Sequence, residues 1–265
     1  MSARPGRLTA ALAALALLAG TVALAQAEVT QHGVLRVSVD ASLSPHRLPR
    51  EGNAPIAVSV DWQIATTDKS PPPTLKTLKI EINRHGHLDL SGLALCPYDK
   101  IQPATTSRAL SNCRAALVGK GTFTAQIVLA GQEAESYVAQ GRLLVFNGLE
   151  HKKPVLFGQI YSAHPFATSF VIVFGIDQLA HGTYGTMLSA TLPKTLRSWG
   201  NLTGIDMRLS RRYAYQGTRH SFLSAACPAP KGFAGASFAL ARASFGFAGG
   251  SALGTTLVRS CRVRG

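Results

Sequence analysis

Acidic side chains are what this 265-residue chain has least of: 13 Asp and Glu stand against 27 Lys and Arg, a formal net charge of +14. Charged residues of both signs make up only 15% of the chain, against roughly 25% in an ordinary soluble domain. Scarce Glu and Lys exclude a coiled coil. The 46% hydrophobic content excludes a disordered chain, which needs low hydrophobicity and dense charge. There is no C-x-x-C pair for a zinc thiolate or redox site, no G-x-S-x-G elbow, no P-loop and no dinucleotide glycine pattern. No paired carboxylates stand out for glycoside hydrolysis, since Glu133 and Glu135 fall in a turn-like break. No cofactor is expected.

Long apolar runs are also missing, with one exception at the start. Arg4 and Arg7 precede an Ala- and Leu-rich stretch from Leu8 to Leu24, and Ala25-Gln26-Ala27 has the form of a small-residue cleavage site. Residues 1–27 are therefore expected to be a cleaved secretory signal, leaving no transmembrane segment. The mature chain would be secreted, to the extracellular space or the cell envelope. All four cysteines, Cys96, Cys113, Cys227 and Cys261, lie in that mature part. An even count in an exported chain implies disulfides. Cys96–Cys113 and Cys227–Cys261 are the expected pairs, because each closes a loop within one region.

Period-2 alternation dominates what remains. Leu35, Val37 and Val39 alternate with polar residues, as do Leu78, Ile80 and Ile82, then Phe123 to Leu129, then Ile205, Met207 and Leu209. Such alternation marks strands with one buried face. Further strands are expected near 55–66, 137–146, 154–161, 168–176, 183–192, 219–226, 237–248 and 253–263. Turns are expected at Pro71-Pro72-Pro73, Asn83 to Gly86, Asn147-Gly148 and Gly249-Gly250. One short helix fits near 104–117, capped by Thr105 or Thr106. The expected fold is all-β, an antiparallel jelly-roll-like β-sandwich of about a dozen strands. Residues 28–265 read as a single domain, with a subdivision near 130–136 as the alternative.

Three groups of residues are candidates for function. His85, His87 and Asp89 would share one side of a strand and could converge on a metal, although the same residues suit a hairpin tip and no further ligand is evident. Gln159-Ile160-Tyr161, with His164 nearby, is loosely similar to the Gln-Ile/Val-His strand of jelly-roll polysaccharide lyases that cleave acidic glycans. Tyr161 stands where that family has His, and its Arg-Thr-Glu strand is missing. The third group is basic. No acid follows Asp206, while Arg208, Arg211, Arg212, Arg219, Lys231, Arg242, Arg259, Arg262 and Arg264 do. Arg208 and Arg212 would share the polar face of one strand. With Arg211, Arg219, Arg259 and Arg262 they form the candidate set for an anionic ligand. A plain solubilising surface is the competing reading, since arginine outnumbers lysine 18 to 9 over the whole chain. Asn201-Leu202-Thr203 fits a glycosylation sequon.

Ala109 to Gly121, Phe146-Asn147-Gly148, Cys227 to Gly232, and Phe245 to Gly250 running on to Cys261 resemble a family of secreted proteins from soil actinobacteria. That family is all-β and has no assigned function. The resemblance implies a single exported unit and the cysteine pattern, and implies no catalytic residue. The leading expectation is a non-catalytic exported β protein that binds an anionic polysaccharide or envelope polymer through its basic C-terminal third. The alternatives are a lyase-like enzyme acting on an acidic glycan and a structural or assembly protein. Nucleic acid is a poor partner for an exported chain without interleaved aromatics.

Overall fold

The computed structural model describes residues 27–128 and 136–264. Residues 1–26 of the expected signal, and the polar break at 131–135, lie outside the described residues. Eighteen strands account for most of the chain. In order they are β1 Glu28–His32, β2 Leu35–Ser44, β3 Arg47–Leu48, β4 Ala54–Pro55, β5 Ala57–Thr66, β6 Leu75–Asn83 and β7 Gly86–Leu88. After helix α1, Thr106–Cys113, come β8 Leu117–Val128, β9 Ser136–Glu150, β10 Lys153–Ser162, β11 Thr168–Gln178 and β12 Tyr184–Thr191. Helix α2, Lys194–Trp199, precedes β13 Asn201–Leu209, β14 Arg212–Tyr215, β15 Thr218–Ser221, β16 Leu223–Ala225, β17 Gly235–Phe247 and β18 Ala252–Val263. The all-β class is as expected. The surplus over a dozen comes from strands of two to five residues, too short to show a period. α2 was not anticipated, since its six residues are too few to display a helical period.

One sheet of 13 strands holds the fold, in the order β1-β2-β5-β13-β8-β9-β10-β11-β12-β6-β17-β18-β3. The main sheet is single and curled, and two small sheets, β14-β15 and β4-β16-β7, stand beside it. Every pairing in it is antiparallel except β18 with β3. The curl brings β18 back beside β1 and β2, where side chains join the edges. Thr30 donates to the Gly254 carbonyl at 3.1 Å, and the Arg259 guanidinium donates to Ala41 O and to the carboxylates of Glu28 and Asp40.

Alternation explains the inner core. Val37 and Val39 of β2, Trp62 of β5, Phe123 of β8 and Phe245 of β17 all point inward and are buried. β9 and β10 differ, being apolar on both faces. Leu143, Val145, Leu156 and Ile160 join the inner core, while Leu144, Phe146, Val155 and Phe157 face outward into a second one. Residues 96–116 cover that outer face with Ile101, Ala104, Ala109 and Ala116. The Thr105 hydroxyl caps α1 by accepting from Arg108 N, as the sequence suggested, and Cys113 ties the helix to Cys96. The second bond joins Cys227 to Cys261. Both pairings are the expected ones. Full burial of a side chain such as Phe157 contributes about 2–3 kcal/mol, so the covering segment is worth holding in place.

One turn lies elsewhere than expected. Asn147-Gly148 sits inside β9, not between strands. Asn147 is buried and donates to Leu93 O and Ala94 O, and a Cβ on Gly148 would lie 2.2 Å from the Phe157 ring. The reversal comes at His151 and Lys152, both at positive φ. Asn-Gly favours tight turns through its backbone freedom, but here it serves a buried amide and a close ring. Around the other expected break, β8 and β9 pair with each other up to Val128 and Ser136.

Candidate functional site: a pinned basic hairpin

β14 and β15 form a two-stranded hairpin outside the main sheet. Its turn residues Gln216 and Gly217 both have positive φ, 48° and 74°, as a two-residue hairpin turn requires. The register pairs Arg212 with Ser221, Tyr213 with His220, Ala214 with Arg219 and Tyr215 with Thr218. Alternation then sorts the side chains. Tyr213, Tyr215, Thr218 and His220 share one face; Arg212, Ala214, Arg219 and Ser221 share the other.

The aromatic face is fastened to residues 89–92. The Tyr213 hydroxyl lies 3.2 Å from Asp89 O and 2.9 Å from Ser91 O. The Tyr213 ring stacks on His220 with centroids 5.4 Å apart. Gly92, at φ +67°, lets the Tyr215 ring sit where its own Cβ would be, 2.1 Å away. His220 Nδ1 is 2.8 Å from Asp89 Oδ2, and Nε2 is 2.9 Å from Thr218 Oγ1. Thr218 in turn donates to Tyr215 O at 2.9 Å. The His220 ring thus bridges Asp89 on one side and Thr218 on the other. The Asp–His–hydroxyl order is that of an activated nucleophile, but the hydroxyl proton is committed to a carbonyl, so the arrangement acts as a clamp.

The electrostatics agree. Partial burial raises the Asp89 carboxyl, but hydrogen bonds from His220 and from Ser91 outweigh it and hold the group below its usual value. Burial, then the Asp89 charge, push the Tyr213 hydroxyl up.

The free face carries the cations. The guanidinium groups of Arg212 and Arg219 make no hydrogen bond or ion pair among the described residues, and both residues are exposed. Arg211, at the hairpin's base, donates to Ala115 O at 3.3 Å. Arg208, Arg242, Arg259 and Arg262 lie on other strands, away from this hairpin. β13 ends at Leu209, so Arg208 lies on a different strand from Arg212, where it reaches Ser59 and stands opposite Lys120. Arg242 pairs with Glu81 and lies over the Tyr184 ring. Arg259 is neutralised by Glu28 and Asp40. Arg262 is beside Arg47 at the β18–β3 edge.

The remaining candidates are dispersed. His85 and His87 are exposed, while Asp89 is taken by His220. Among the described residues no group of three metal-ligating side chains comes together. The segment 83–88 is not a hairpin tip: β6 lies in the main sheet and β7 pairs with β16 in a separate one. Gln159 is fully buried and donates to Ala104 O and Ser169 Oγ. Tyr161 stands opposite Arg142 across β9 and β10, and His164 is an exposed residue beyond the end of β10. These three share no hydrogen bond among the described residues. In the sequon, the Asn201 amide already donates to Pro72 O and accepts from Thr74.

Sequence reasoning missed one charge cluster. Asp40, Asp61 and Asp206 stand side by side on the outer face of β2, β5 and β13. Partial burial, then Asp206 and Asp40, raise the Asp61 carboxyl. The outward phase of each residue was readable from alternation. The strand pairing that aligns them was not.

Comparison with protein-family models, curated proteins and solved structures gives no match. The structure defines a class only: an all-β protein with two disulfides. No helix among its described residues is long and apolar enough to cross a membrane.

Proposed function

We propose that this is an exported, non-catalytic β protein of the cell envelope or extracellular space, and that it binds an anionic polymer through the free face of the β14–β15 hairpin. The carrying observation is the division of that hairpin. One face is fastened to residues 89–92, and the other presents Arg212 and Arg219 without acidic partners. A fixed hairpin loses little entropy on binding, and unpaired guanidinium groups suit carboxylates, sulfates or phosphates. The two disulfides support an oxidising compartment. So do the signal-like start and the resemblance to secreted actinobacterial proteins. Tyr213 and Tyr215 face the clamp and leave no aromatic interleaving for nucleic-acid bases.

The test is retention on immobilised polygalacturonate and dextran sulfate as salt rises. Wild-type protein should elute late and in a salt-dependent manner. Arg212→Ser with Arg219→Ser should elute markedly earlier, and Arg262→Ser should not. Salt-independent retention, or equal elution of the double variant, overturns the proposal.

A lyase-like reading has one observation in its favour, the direct pairing of Tyr161 with Arg142 on the outer face. Release of unsaturated sugars from polygalacturonate by the wild type, abolished by Tyr161→Phe, would establish it.

A further inference from the structure

The inside of the curled sheet is not filled throughout. Trp62 of β5 meets Phe245 of β17 edge-on, with ring centroids 5.6 Å apart. Beyond them the walls part and leave a cavity of about 120 Å³. β5 and β13 line one side, β6 and β17 the other, and β7 and β16 cross the end. Val58, Val60 and Met207 on one wall face inward, as do Ile80, Ile82 and Leu240 on the other, yet each remains only half-buried. Inward aliphatic side chains that stay half-exposed mean that neither wall fills the gaps of the other. Protein interiors normally interdigitate to crystal-like density, and bare apolar surface costs about 25 cal/mol per Å².

Water does not satisfy such a space. A buried water needs two to four polar partners. Asn83, the buried polar residue of the lining, has spent its side chain: its amide donates to Ala239 O at 2.7 Å and its carbonyl accepts from His85 N at 2.9 Å. Of all the lining residues only His85 and His87 are exposed, and His87 faces away from the cavity, since its neighbour Leu88 packs on the inner core. The site is a pocket with an almost wholly apolar lining, partly open to solvent.

We propose that this cavity binds the aliphatic end of a single-chain amphiphile such as a fatty acid, its polar head remaining outside in solvent. The volume argues for one chain. An engineered apolar cavity of about 150 Å³ takes one benzene, so a run of methylenes fits and the rest of the chain leaves through the opening. Neither Arg212 nor Arg219 lines the cavity, so this site is separate from the polymer surface.

The chain has two tryptophans, and only Trp62 lines the cavity. The full-length secreted protein is titrated with 12-bromododecanoate below its micelle concentration, since bromine at the chain end quenches a nearby indole. Saturable quenching is expected in the wild type and absent in Trp62→Phe, which retains Trp199 as an internal control. Val60→Phe fills the cavity from β5; binding should weaken about tenfold or more, while the unfolding temperature stays at or above the wild-type value. If that variant does not fold, Ala241→Leu makes the same test from the opposite wall. No saturable quenching in the wild type overturns the proposal. So does equal quenching in Trp62→Phe, or undiminished quenching in a folded, filled variant.

Discussion

Arg259 and Asp40, 219 residues apart in the chain, meet across the seam of the curled sheet with Nη2 2.6 Å from Oδ1. No backbone ladder joins β18 to β2, so this guanidinium holds the two edges together, and its remaining donors reach Glu28 and Ala41 O. Hydrogen bonding to Glu28, reinforced by Asp40, raises the proton affinity of an already strong base. Arg259→Met would leave two carboxylates facing each other. The contact lies between an exposed and a fully buried pair, so the expected loss is about 2 kcal/mol in denaturant unfolding. Arg259→Lys should recover only part of it, because an ammonium cannot bridge both acids in one plane. Polymer retention should be nearly unchanged, since this charge is already neutralised. A wild-type unfolding midpoint in Arg259→Met would refute the seam.

How much of this was legible in the sequence depends on distance along the chain. Alternation placed Val37, Ile82, Phe123 and Met207 on inner faces, and Thr105 and Cys113 bounded a real helix, because those signals are local. Arg259 read as one of nine late cations because its acids lie more than 200 residues away. The second core was half visible. The unbroken apolar runs of β9 and β10 signal burial on both faces, but nothing local says that residues 96–116 provide the cover. Asn147-Gly148 misled for the reverse reason: a strong local turn signal was overridden by tertiary contacts.

The aspartate row costs stability at neutral pH. The folded Asp61 carboxyl titrates above its unfolded value, so its charged form is disfavoured by burial and then by Asp206 and Asp40. The penalty is present above the folded value and disappears as pH falls below the unfolded one. Asp61→Asn should therefore raise the thermal midpoint at pH 7 by roughly 1–2 °C, as about 0.5 kcal/mol at a solvated site gives. The gain should vanish near pH 3. A variant that is no more stable at pH 7 would show that solvent screens the row completely.

Asp89 behaves oppositely. Its folded carboxyl is held below the ordinary value because hydrogen bonds from His220 and Ser91 outweigh its burial. Its contribution is full above the unfolded value, near 4, and is lost as pH falls through the lower folded value. Wild type should exceed Asp89→Asn in stability at pH 6, and the two should converge in strong acid. Hydrogen exchange of the hairpin amides would report the loss locally, with β14 and β15 opening before the main sheet. Curves for the two proteins that stay parallel down to pH 2 would exclude the clamp.

The disulfides close loops of 17 and 34 residues. On loop entropy alone they are worth about 3 and about 4 kcal/mol. Cys96→Ala with Cys113→Ala should loosen the cover over Phe157, giving faster proteolysis within 96–116 while the main sheet persists. Cys227→Ala with Cys261→Ala removes the link to β18 near the seam and should lower the global unfolding midpoint. Equal, purely global effects of both pairs would mean that the outer cover is not a separable unit.

Gly92 connects the clamp to the proposed polymer surface without carrying charge. Its φ of +67° and the 2.1 Å approach of the Tyr215 ring leave no room for a methyl group. Gly92→Ala should cost about 1–2 kcal/mol of local stability, combining backbone strain with displacement of the ring. If Arg212 and Arg219 bind polymer because the hairpin is held still, the alanine variant should elute from polygalacturonate at lower salt than wild type, with net charge unchanged. A conservative change on the same face, Tyr213→Phe, removes the hydroxyl bond but keeps the stacked ring and should give a smaller shift. Should Gly92→Ala retain wild-type elution while its hairpin amides exchange faster, the cations act through charge alone and the fixed geometry of the hairpin is irrelevant to binding.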